Sequence, residues 1–517
     1  MLIAEKNRQL VFNLKKPERV LSVIPTARLI NYKGTPLVAV PHQLDETKVL
    51  RNLGFTVPSP ATLYYGFPSR YPTPFEHQKV TVDFLVSNPR AYCLNDMGTA
   101  KTLSALWAFD YLRSEGLAGK MLVTAPLSTL EHTWGNEIWR NLPHLSFVVL
   151  HGSRKRRLEL LKQDVDVYII NHDGMSIIQK ELEHRWDITH VIVDEIASMR
   201  NRQTDRWETI NQVVNGPVKR NVWGMTGTPT PNAPTDAWAQ CRLITPHTVP
   251  QWFGRFRDMT MRKVTQFKWA PREGALEMVQ NAMQPAIRFS RDECIDLPEL
   301  MYETLHAELT KEQKEMYKQM LSQLVADFKG QQLTAVNEAV KINKLVQICC
   351  GVAYDINHNE VYIPVKPRIE LTKEVIANSG SKTIVFVPLT GALEYVAAEL
   401  GKDYSVEIIH GGTSASERRR IFTAFQNDAD PQVLVANAGA MSHGLTLTAA
   451  STIVWFAPPN SNETYNQANA RISRPGQKLA QLIMHIEGTT VERKIYDRLK
   501  EKSSMQGVLL DMIQEAR

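Results

Sequence analysis

Lys101 and Thr102 stand directly after a short turn, between an apolar strand-like run and a stretch with helical periodicity. In a phosphate-binding loop, backbone N–H groups and the N-terminus of the following helix hold the phosphates. The lysine reaches the β- and γ-phosphates, and the hydroxyl next to it holds Mg²⁺. The segment "LNDMGTAKT" (94–102), with Gly98 in its turn, therefore has the residue types of a nucleotide site. A lysine after an ordinary turn is the alternative.

Two neighbouring carboxylates, Asp194 and Glu195, end a second apolar run, "HVIVDE" (190–195). Carboxylates at the C-terminal edge of a parallel strand suit two tasks in phosphoryl transfer. The first can bind Mg²⁺ through water, and the second can polarise the attacking water. An acidic pair that caps a helix is the structural alternative for the same two residues.

A third run, "NVWGMTG" (221–227), ends in a turn that contains Thr226, Gly227 and Thr228. The two threonine hydroxyls are of a type that could respond to a γ-phosphate, whereas a simple turn is the alternative. The three segments follow one another within one predicted α/β region. Because this combination is much rarer by chance than any one segment, it favours a nucleotide-hydrolysing site.

The segment "NQANARISRPGQ" (466–477) places Arg471 and Arg474 three residues apart on a predicted helix. An arginine that reaches a γ-phosphate stabilises the charge that develops in phosphoryl transfer. A solvated basic face of a helix is the alternative. The flanking Gln467 and Gln477 favour the functional interpretation.

The elements that must position these residues are short apolar runs that alternate with helical stretches. Near-continuous apolar strands between helices are typical of a parallel sheet covered on both faces. The pattern runs from about residue 75 to 243 and resumes after about residue 380. The sequence therefore predicts an α/β fold with two parallel-sheet lobes. The predicted strands lie in the runs 91–96, 121–126, 147–152, 167–172, 190–195 and 221–227, and then 382–388, 404–411, 432–439, 451–458 and 481–488.

The first 70 residues predict a small ββα (α+β) domain. Two β-type runs flank Lys33-Gly34, which indicates a hairpin. A helix follows, with Leu44, Leu50 and Leu53 at helical spacing and Gly54 as its stop. The predicted domains are therefore a small accessory domain (1–70), lobe 1 (71–295), a helical connection or outgrowth (296–375) and lobe 2 (376–517).

Composition limits the class of protein. The 517 residues are 43% hydrophobic and 22% charged, as in ordinary globular proteins. The five cysteines show no C-x-x-C pairing, which argues against a zinc module or disulfide frame. The N-terminus carries charge where a signal peptide needs an apolar core, and no apolar run approaches membrane-spanning length. We expect a soluble, intracellular protein with no membrane partner, in the cytoplasm or nucleoid, or in the host cytoplasm for a virus-encoded chain.

The net charge of +6 agrees with a polyanionic partner and equally with a bland solvated surface. The order of the motifs is more informative, because it resembles the Swi/Snf-type ATPases, the DNA translocases of helicase superfamily two. The resemblance runs from about Phe75 to Arg498. Its segments are "FEHQ", "DMGTAKT", "LVTAPLSTLEHTWGNEI", "VDEIASMRN" and "MTGTPTPN", and then "IIHGGTSASERRRIFTAFQ" and "HGLTLTAASTIVWFAPPNSNETYNQANARISRPGQ".

This resemblance implies two RecA-like lobes with ATP and Mg²⁺ in a cleft between them. It implies that Gln78 reads adenine, that the loop residues Met97, Gly98, Thr99, Ala100, Lys101 and Thr102 hold the phosphates, and that Thr102 and Asp194 serve the Mg²⁺ ion. Glu195, Arg471 and Arg474 would be catalytic. Thr226, Gly227, Thr228 and Gln467 would couple hydrolysis to movement. DNA contacts would come from Ser128, Thr129, Gly412, Thr413 and Gly444.

In lobe 2, "NAGAMSHGLTL" (437–447) stands where the family shows S-T-x-A-G-G-x-G-L-N-L. In lobe 1, four positions depart from the family pattern. Ala100 replaces the last glycine of the loop, and a methyl group there is tolerable only with a negative φ. Asn95 replaces an acid. Ile196 and Ala197 stand where the family has Ala-His, so the histidine that contacts the other lobe in relatives is missing.

The predicted activity is that of an ATP-dependent DNA translocase that remodels duplex, forked or branched DNA, with RNA a less favoured partner. The alternatives are a strand-separating DNA or RNA helicase and, from another class, a DNA-binding scaffold that binds ATP without hydrolysing it. The N-terminal ββα unit resembles the HARP module of annealing helicases, through a hairpin, a helix and "LRNLGF" (50–55). A small domain that only packs on lobe 1 is the alternative.

Overall fold

The computed structural model of this chain describes residues 1–69, 74–230, 233–265, 269–290, 294, 300–330, 335–354, 360–441, 447–474 and 477–500. The chain divides into two compact units, Met1–Cys294 and Ile295–Arg517. None of the helices in these described ranges is long and apolar enough to cross a bilayer.

The chain begins with a four-stranded antiparallel sheet. Its strands, in the order β1-β2-β4-β3, are β1 Leu2–Ala4, β2 Gln9–Phe12, β3 Arg28–Tyr32 and β4 Thr35–Pro41. The predicted hairpin is β3–β4, whose two-residue turn has φ of 50° at Lys33 and 84° at Gly34. The predicted helix is present and is followed by Gly54 at φ 89°. The helices of this region are α1 Glu18–Leu21, α2 Leu44–Asn52 and α3 Pro60–Tyr64.

The ββα prediction was therefore incomplete, because it missed β1 and β2. These strands have only three and four residues around a charged turn, so they are too short for a visible alternation. Their apolar side chains nevertheless build a core of their own, in which Leu10 and Phe12 pack with Val38, Val40 and Leu50.

This small sheet is packed on lobe 1. Arg8 pairs with Glu115 at 2.8 Å, and Arg51 pairs with Asp83 at 3.1 Å. The indole of Trp107 donates to the carbonyl oxygen of Pro68 at 2.7 Å. The predicted boundary at residue 70 falls in 70–73, which lie outside the described residues.

Lobe 1 is a seven-stranded, fully parallel sheet in the order β13-β5-β10-β9-β6-β8-β7. All six predicted strands are present, and β13 is a short seventh that the sequence did not predict. Their bounds are β5 Arg90–Cys93, β6 Lys120–Ala125, β7 Phe147–Val149, β8 Val167–Asn171, β9 Ile188–Asp194, β10 Asn221–Met225 and β13 Ala286–Ile287.

Helices cover both faces of this sheet, as the near-continuous apolar strands require. They are α4 Glu76–Ser87, α5 Lys101–Ser114, α6 Asn136–Asn141, α7 Arg154–Leu161, α8 Gln179–Glu183, α9 Asp205–Asn215, α10 Asp236–Ile244, α11 Phe253–Thr260 and α12 Ala275–Ala282. A small antiparallel hairpin of β11 Met261–Lys263 and β12 Trp269–Pro271 lies between α11 and α12.

Lobe 2 is a six-stranded parallel sheet in the order β14-β21-β20-β17-β19-β18. The five predicted strands are β17 Lys382–Phe386, β18 Val406–Ile409, β19 Val433–Ala436, β20 Ala450–Trp455 and β21 Gln481–Glu487. The sixth, β14 Leu300–His306, lies in the stretch predicted to be helical and pairs along its whole length with β21. As a mostly exposed edge strand with polar residues, it lacks the apolar run that marks the others.

The helices of lobe 2 include the long one predicted from "LTKEQKEMYKQMLSQLVADF". They are α13 Lys311–Gly330, α14 Ala335–Cys349, α15 Lys366–Asn378, α16 Thr390–Leu400, α17 Ala415–Asn427, α18 Asn462–Asn469 and α19 Thr490–Lys500. A hairpin of β15 Val352–Tyr354 and β16 Glu360–Tyr362 joins α14 to α15. The fold is thus the predicted α/β pair of parallel-sheet lobes with a small N-terminal sheet.

Candidate active site

The register of three adjacent strands brings the first three candidate segments together. Met225 at the end of β10 is level with Cys93 on β5 and with Asp194 on β9. Because all three strands are parallel, their carboxyl ends meet at one edge of the sheet. The loop 94–100, the acidic pair and the turn 226–228 therefore start side by side.

The loop after β5 closes on the first turn of α5. Gly98 has φ 87°, and Ala100 has φ 55° and ψ 40° just before the helix begins at Lys101. The expectation of a negative φ at Ala100 is therefore wrong: the residue lies in the left-handed region, which costs about 1–2 kcal/mol for a side chain with a Cβ. Its carbonyl oxygen accepts the first hydrogen bonds of the helix, from Ser104 N at 3.1 Å and Ser104 Oγ at 3.2 Å. These bonds hold the strained conformation.

Lys101 lies over the loop that precedes it. Its Nζ donates to the carbonyl oxygens of Asn95 at 2.8 Å and Asp96 at 2.9 Å. The Thr99 hydroxyl donates to the same Asp96 carbonyl at 2.8 Å. The lysine ammonium is therefore held at the mouth of the loop, the place that a phosphate-binding lysine needs.

Asn95, which replaces an acid, is fully buried and bridges two elements. Its Nδ2 donates to the Thr81 hydroxyl at 2.9 Å, and its Oδ1 accepts from Phe289 N at 3.0 Å. A carboxylate could accept the second bond but could not donate the first. The substitution thus fits the hydrogen bonds around it and leaves the loop anchored to α4.

Gln78, the predicted adenine reader, lies buried in the first turn of α4. Its Oε1 accepts from Phe75 N at 3.0 Å. Its neighbour His77, which the sequence analysis did not select, bonds from Nε2 to the Thr99 carbonyl oxygen at 3.1 Å. Burial lowers the pKa of His77, so the neutral imidazole that makes this bond is favoured. His77 thereby ties the glutamine segment to the phosphate loop.

Asp194 is buried at the end of β9. Its Oδ2 accepts from the indole Nε1 of Trp134 at 2.9 Å, and its Oδ1 accepts from Glu195 N at 3.0 Å. Burial raises the pKa of Asp194, while the Trp134 bond and the charge of Lys101 act in the opposite direction. A hard divalent cation such as Mg²⁺ prefers carboxylate and hydroxyl oxygens. Asp194 and Thr102 therefore fit the predicted Mg²⁺ ion.

Trp134, which was not among the predicted residues, contacts the candidate residue Asp194. It is fully buried in a six-residue π-helical turn, Leu130–Gly135, which follows the 3₁₀ turn Leu127–Thr129. Single π-turns of this kind are rare and frequently occur at functional sites. The signal was present, because the tryptophan stands in a quoted motif, but its contact with Asp194 spans 60 residues of sequence.

Glu195 and the turn after β10 are in direct contact. Glu195 has φ 48°, and its Oε2 accepts from the Thr226 hydroxyl at 3.2 Å. Thr226 Oγ1 in turn accepts from Thr228 N at 3.2 Å. A Cβ at Gly227 would lie 3.3 Å from Met97 N, so a glycine allows this turn to pack against the phosphate loop.

Ile196 and Ala197, which replace Ala-His, begin a 3₁₀ turn, Ile196–Met199. Both side chains are buried. Position 197 therefore contributes a methyl group to the interior of lobe 1 and no polar atom.

In lobe 2, α18 ends at Asn469, so the prediction that Arg471 and Arg474 lie on a helix was wrong. Both lie in the turns that follow it. Arg471 is only 2% exposed, which excludes a solvated basic face. Arg474 donates from Nε to the Ala470 carbonyl oxygen at 3.3 Å. Gln467 is buried on α18, and its Nε2 donates to Glu463 Oε1 at 3.2 Å.

The predicted DNA contacts lie in both units. Ser128 and Thr129 belong to the 3₁₀ turn after β6, and the Thr129 hydroxyl donates to the Pro126 carbonyl oxygen at 2.8 Å. Gly412 is exposed after β18, and Thr413 Oγ1 accepts from His410 N at 3.1 Å. Gly444 lies outside the described residues.

Comparison with family models matches two domains. The SNF2-related domain matches residues 77–354, and the helicase conserved C-terminal domain matches residues 367–476. The N-terminal sheet precedes both matches, so its likeness to a HARP module stays a prediction.

Among curated proteins, putative protein p41 of Acyrthosiphon pisum secondary endosymbiont phage 1 is 24% identical over 464 residues, which cover 85% of this chain and 98% of p41. Nuclear protein STH1/NPS1 of Saccharomyces cerevisiae is 24% identical over 80% of this chain, which spans only 33% of that protein. The ATP-dependent DNA helicase DDM1 of Arabidopsis thaliana is 22% identical, over 80% of this chain and 58% of DDM1.

Among solved structures, the Sulfolobus solfataricus SWI2/SNF2 ATPase core in complex with dsDNA aligns with a TM-score of 0.43 and 21% identity, over 86% of this chain and 93% of that chain. The family models carry the assignment by themselves. The SNF2-related domain alone matches more than half of the chain, with the helicase C-terminal domain after it in the order that the motifs indicated. The chain therefore belongs to the SNF2-related, Swi/Snf-type family of helicase-like ATPases.

Proposed function

We propose that this chain hydrolyses ATP and uses the cycle to translocate on duplex DNA. The observation that carries the proposal is the convergence of four side chains at one edge of the lobe 1 sheet. Lys101 lies at the end of the loop after β5. Asp194 is the last residue of β9, Glu195 comes directly after it, and Thr226 comes directly after β10. These are the side chains that phosphoryl transfer needs: a cation for the phosphates, an oxygen ligand for the metal and a carboxylate for the attacking water.

In this proposal, Lys101 leaves the Asn95 and Asp96 carbonyl oxygens to contact the β- and γ-phosphates of ATP. The backbone N–H groups of Gly98–Thr102 and the N-terminus of α5 contact the same phosphates. Asp194 and Thr102 would hold a Mg²⁺ ion, which would supply positive charge beside the phosphates. Gln78 contacts the adenine from α4.

Glu195 orients and polarises the attacking water. The Thr226 hydroxyl holds the carboxylate of Glu195 on one side, so a change at the turn 226–228 is passed directly to the catalytic base. We assign this turn, with Gln467 in lobe 2, to coupling between ATP turnover and movement. We assign Arg471 and Arg474 of lobe 2 to stabilising the charge that develops on the γ-phosphate.

DNA is the proposed track, held mainly through its phosphates by both lobes. Contacts of this kind tolerate any sequence and weaken with salt. Ser128 and Thr129 supply contacts from lobe 1, and Gly412, Thr413 and Gly444 supply them from lobe 2. Support comes from a relative, since DDM1 is named an ATP-dependent DNA helicase. Forked or branched DNA is the proposed substrate within this class, in the cytoplasm or nucleoid.

A triplex-displacement assay tests the proposal. A translocase that moves along a duplex strips off a third strand without separating the two strands beneath it. We expect displacement that requires ATP and that is lost in Lys101→Ala. Separation of a tailed duplex without triplex displacement would instead identify a strand-separating helicase. ATP binding without either product would identify a scaffold.

A further inference from the structure

The sequence of lobe 1 contains a basic stretch, residues 251–276, that holds none of the assigned site residues and is distinct from the region 296–375. We call this stretch the outgrowth. It holds six Lys or Arg and two Asp or Glu, a net charge of +4 in a chain whose total is +6. It comprises α11, the β11–β12 hairpin and the start of α12. Such a concentration of positive charge fits a polyanionic partner.

One face of α11 combines an aromatic ring with a cation. Trp252, directly before the helix, is 70% exposed, and Arg255 and Met259 follow at helical spacing and are also exposed. Residues three and four apart share a face of a helix. The side of the helix next to this stripe is buried through Phe256 and Thr260. The exposed stripe is therefore a fixed feature of a packed helix.

The outgrowth is anchored to lobe 1. Phe256 and Val279 belong to the core cluster on one side of the lobe 1 sheet. The indole of Trp238 on α10 donates to the Pro250 carbonyl oxygen at 2.8 Å, and its ring meets the edge of Phe253 with centroids 5.5 Å apart. A ligand on this surface would therefore be held at a set position on the lobe.

Three of its cations are available to a partner. In the described part of the chain, no carboxylate pairs with Arg255, Arg262 or Lys263. By contrast, Arg257 pairs with Asp258 at 3.0 Å and lies over the Trp269 ring at 4.1 Å. The outgrowth thus holds three cations that face solvent, whereas Arg257 is satisfied internally.

We propose that this outgrowth binds a single-stranded stretch of DNA, with phosphates at Arg255, Arg262 and Lys263 and a base stacked on Trp252. Exposed aromatic rings beside free cations bind unstacked bases. In a duplex the base faces are already stacked, so the exposed indole favours a single strand over a duplex. The inference rests on the proposed function only in taking DNA as the polymer, and it makes a junction of single- and double-stranded DNA the preferred substrate.

Fluorescence anisotropy with labelled oligo(dT) tests this surface directly and without ATP. We expect Trp252→Ala to weaken binding about tenfold, as for the loss of one stacked base. Trp186→Ala is the matched control, because Trp186 is another tryptophan of lobe 1, 80% exposed and outside the outgrowth. For Arg255→Ala/Arg262→Ala/Lys263→Ala, the slope of log affinity against log salt should become shallower by about 2, since each phosphate contact to a single strand contributes about 0.7. Circular dichroism melts check that each variant is folded.

The proposal would be overturned if the Trp252→Ala variant bound oligo(dT) as tightly as the Trp186→Ala variant. An equal loss of affinity for a blunt duplex would overturn the single-strand assignment, and tighter binding to oligo(U) would overturn DNA as the polymer. The same variants, assayed for triplex displacement on duplex DNA, separate the two proposals. Parent protein that binds oligo(dT) but displaces no third strand would contradict the translocase and leave this surface in place.

Discussion

The indole of Trp134 donates to the carboxylate of Asp194 over 2.9 Å, with both side chains enclosed in lobe 1. The tryptophan belongs to the segment proposed to grip DNA, and the aspartate to the edge proposed to hold Mg²⁺. This one bond therefore connects the two proposed sites within a single lobe. The family's histidine, which contacts the other lobe in relatives, is missing at position 197. The Trp134–Asp194 bond, by contrast, directly connects two motifs of lobe 1.

We expect Trp134→Phe to raise the Mg²⁺ concentration for half-maximal ATP turnover about tenfold, because a hydrogen bond to a charged group contributes about 1.5–3 kcal/mol. Loss of the donor also raises the pKa of Asp194, so the acidic limb of the rate profile should move to higher pH. Trp207→Phe is the control, since the Trp207 indole donates to the Ala239 carbonyl oxygen instead. An unchanged Mg²⁺ requirement would remove Trp134 from the site.

Glu195→Gln should lower the turnover number by about 10²–10⁴, the usual contribution of a general base. The glutamine keeps the shape of the side chain and its contact with Thr226, so ATP affinity should change little. Turnover under saturating ATP and binding of a labelled nucleotide measure the two effects. Glu208→Gln, an exposed acid on α9, provides the comparison. Full activity in Glu195→Gln would assign the water to another residue.

Ala100→Gly should stabilise lobe 1 by about 0.5–1 kcal/mol, because it releases a left-handed strain larger than the entropy that glycine adds to the unfolded chain. Turnover should be kept. Ala100→Val should do the opposite, since a β-branched residue is a true outlier at positive φ. Urea unfolding and ATP turnover on both variants check this pair. A valine variant as stable and active as the parent would show that φ is negative in solution.

Acid should destabilise lobe 1 through His190. The imidazole lies between Phe109 and Trp223, and burial lowers its pKa from 6.5 to about 4. The unfolded chain therefore binds more protons between these two values, and stability falls as the pH drops from 6.5 towards 4. The full effect is about 3 kcal/mol. Urea unfolding across this pH range measures the change in the free energy of unfolding. In His190→Gln, the free energy of unfolding should depend less on pH. An equal pH slope in both proteins would contradict the assignment.

The sequence predicted those strands of both sheets that are continuous apolar runs. The motifs could then be placed at the carboxyl ends of these strands. It did not predict β14, because an exposed edge strand lacks such a run. The helical placement of Arg471 was wrong, since α18 stops at Asn469, whose side chain accepts from the Trp455 indole at 2.8 Å. That bond depends on tertiary packing and leaves no local pattern.

The residues of the candidate site were selected from the sequence, but the contacts between them were not predicted. His77 and Trp134 stand inside recognised segments, yet their bonds to Thr99 and Asp194 cross 22 and 60 residues. The conformation of Ala100 was predicted with the wrong sign, because the sequence shows which residue replaces a glycine but not how the backbone accommodates it.

DNA-dependent ATP hydrolysis by this chain is tested most directly by measuring ATP turnover with and without blunt duplex DNA at low salt. We expect a low rate for the protein alone, a clear increase with duplex DNA, loss of that increase as salt displaces the phosphate contacts, and no turnover in Lys101→Ala. Equal rates with and without DNA, or full turnover in Lys101→Ala, would contradict this expectation.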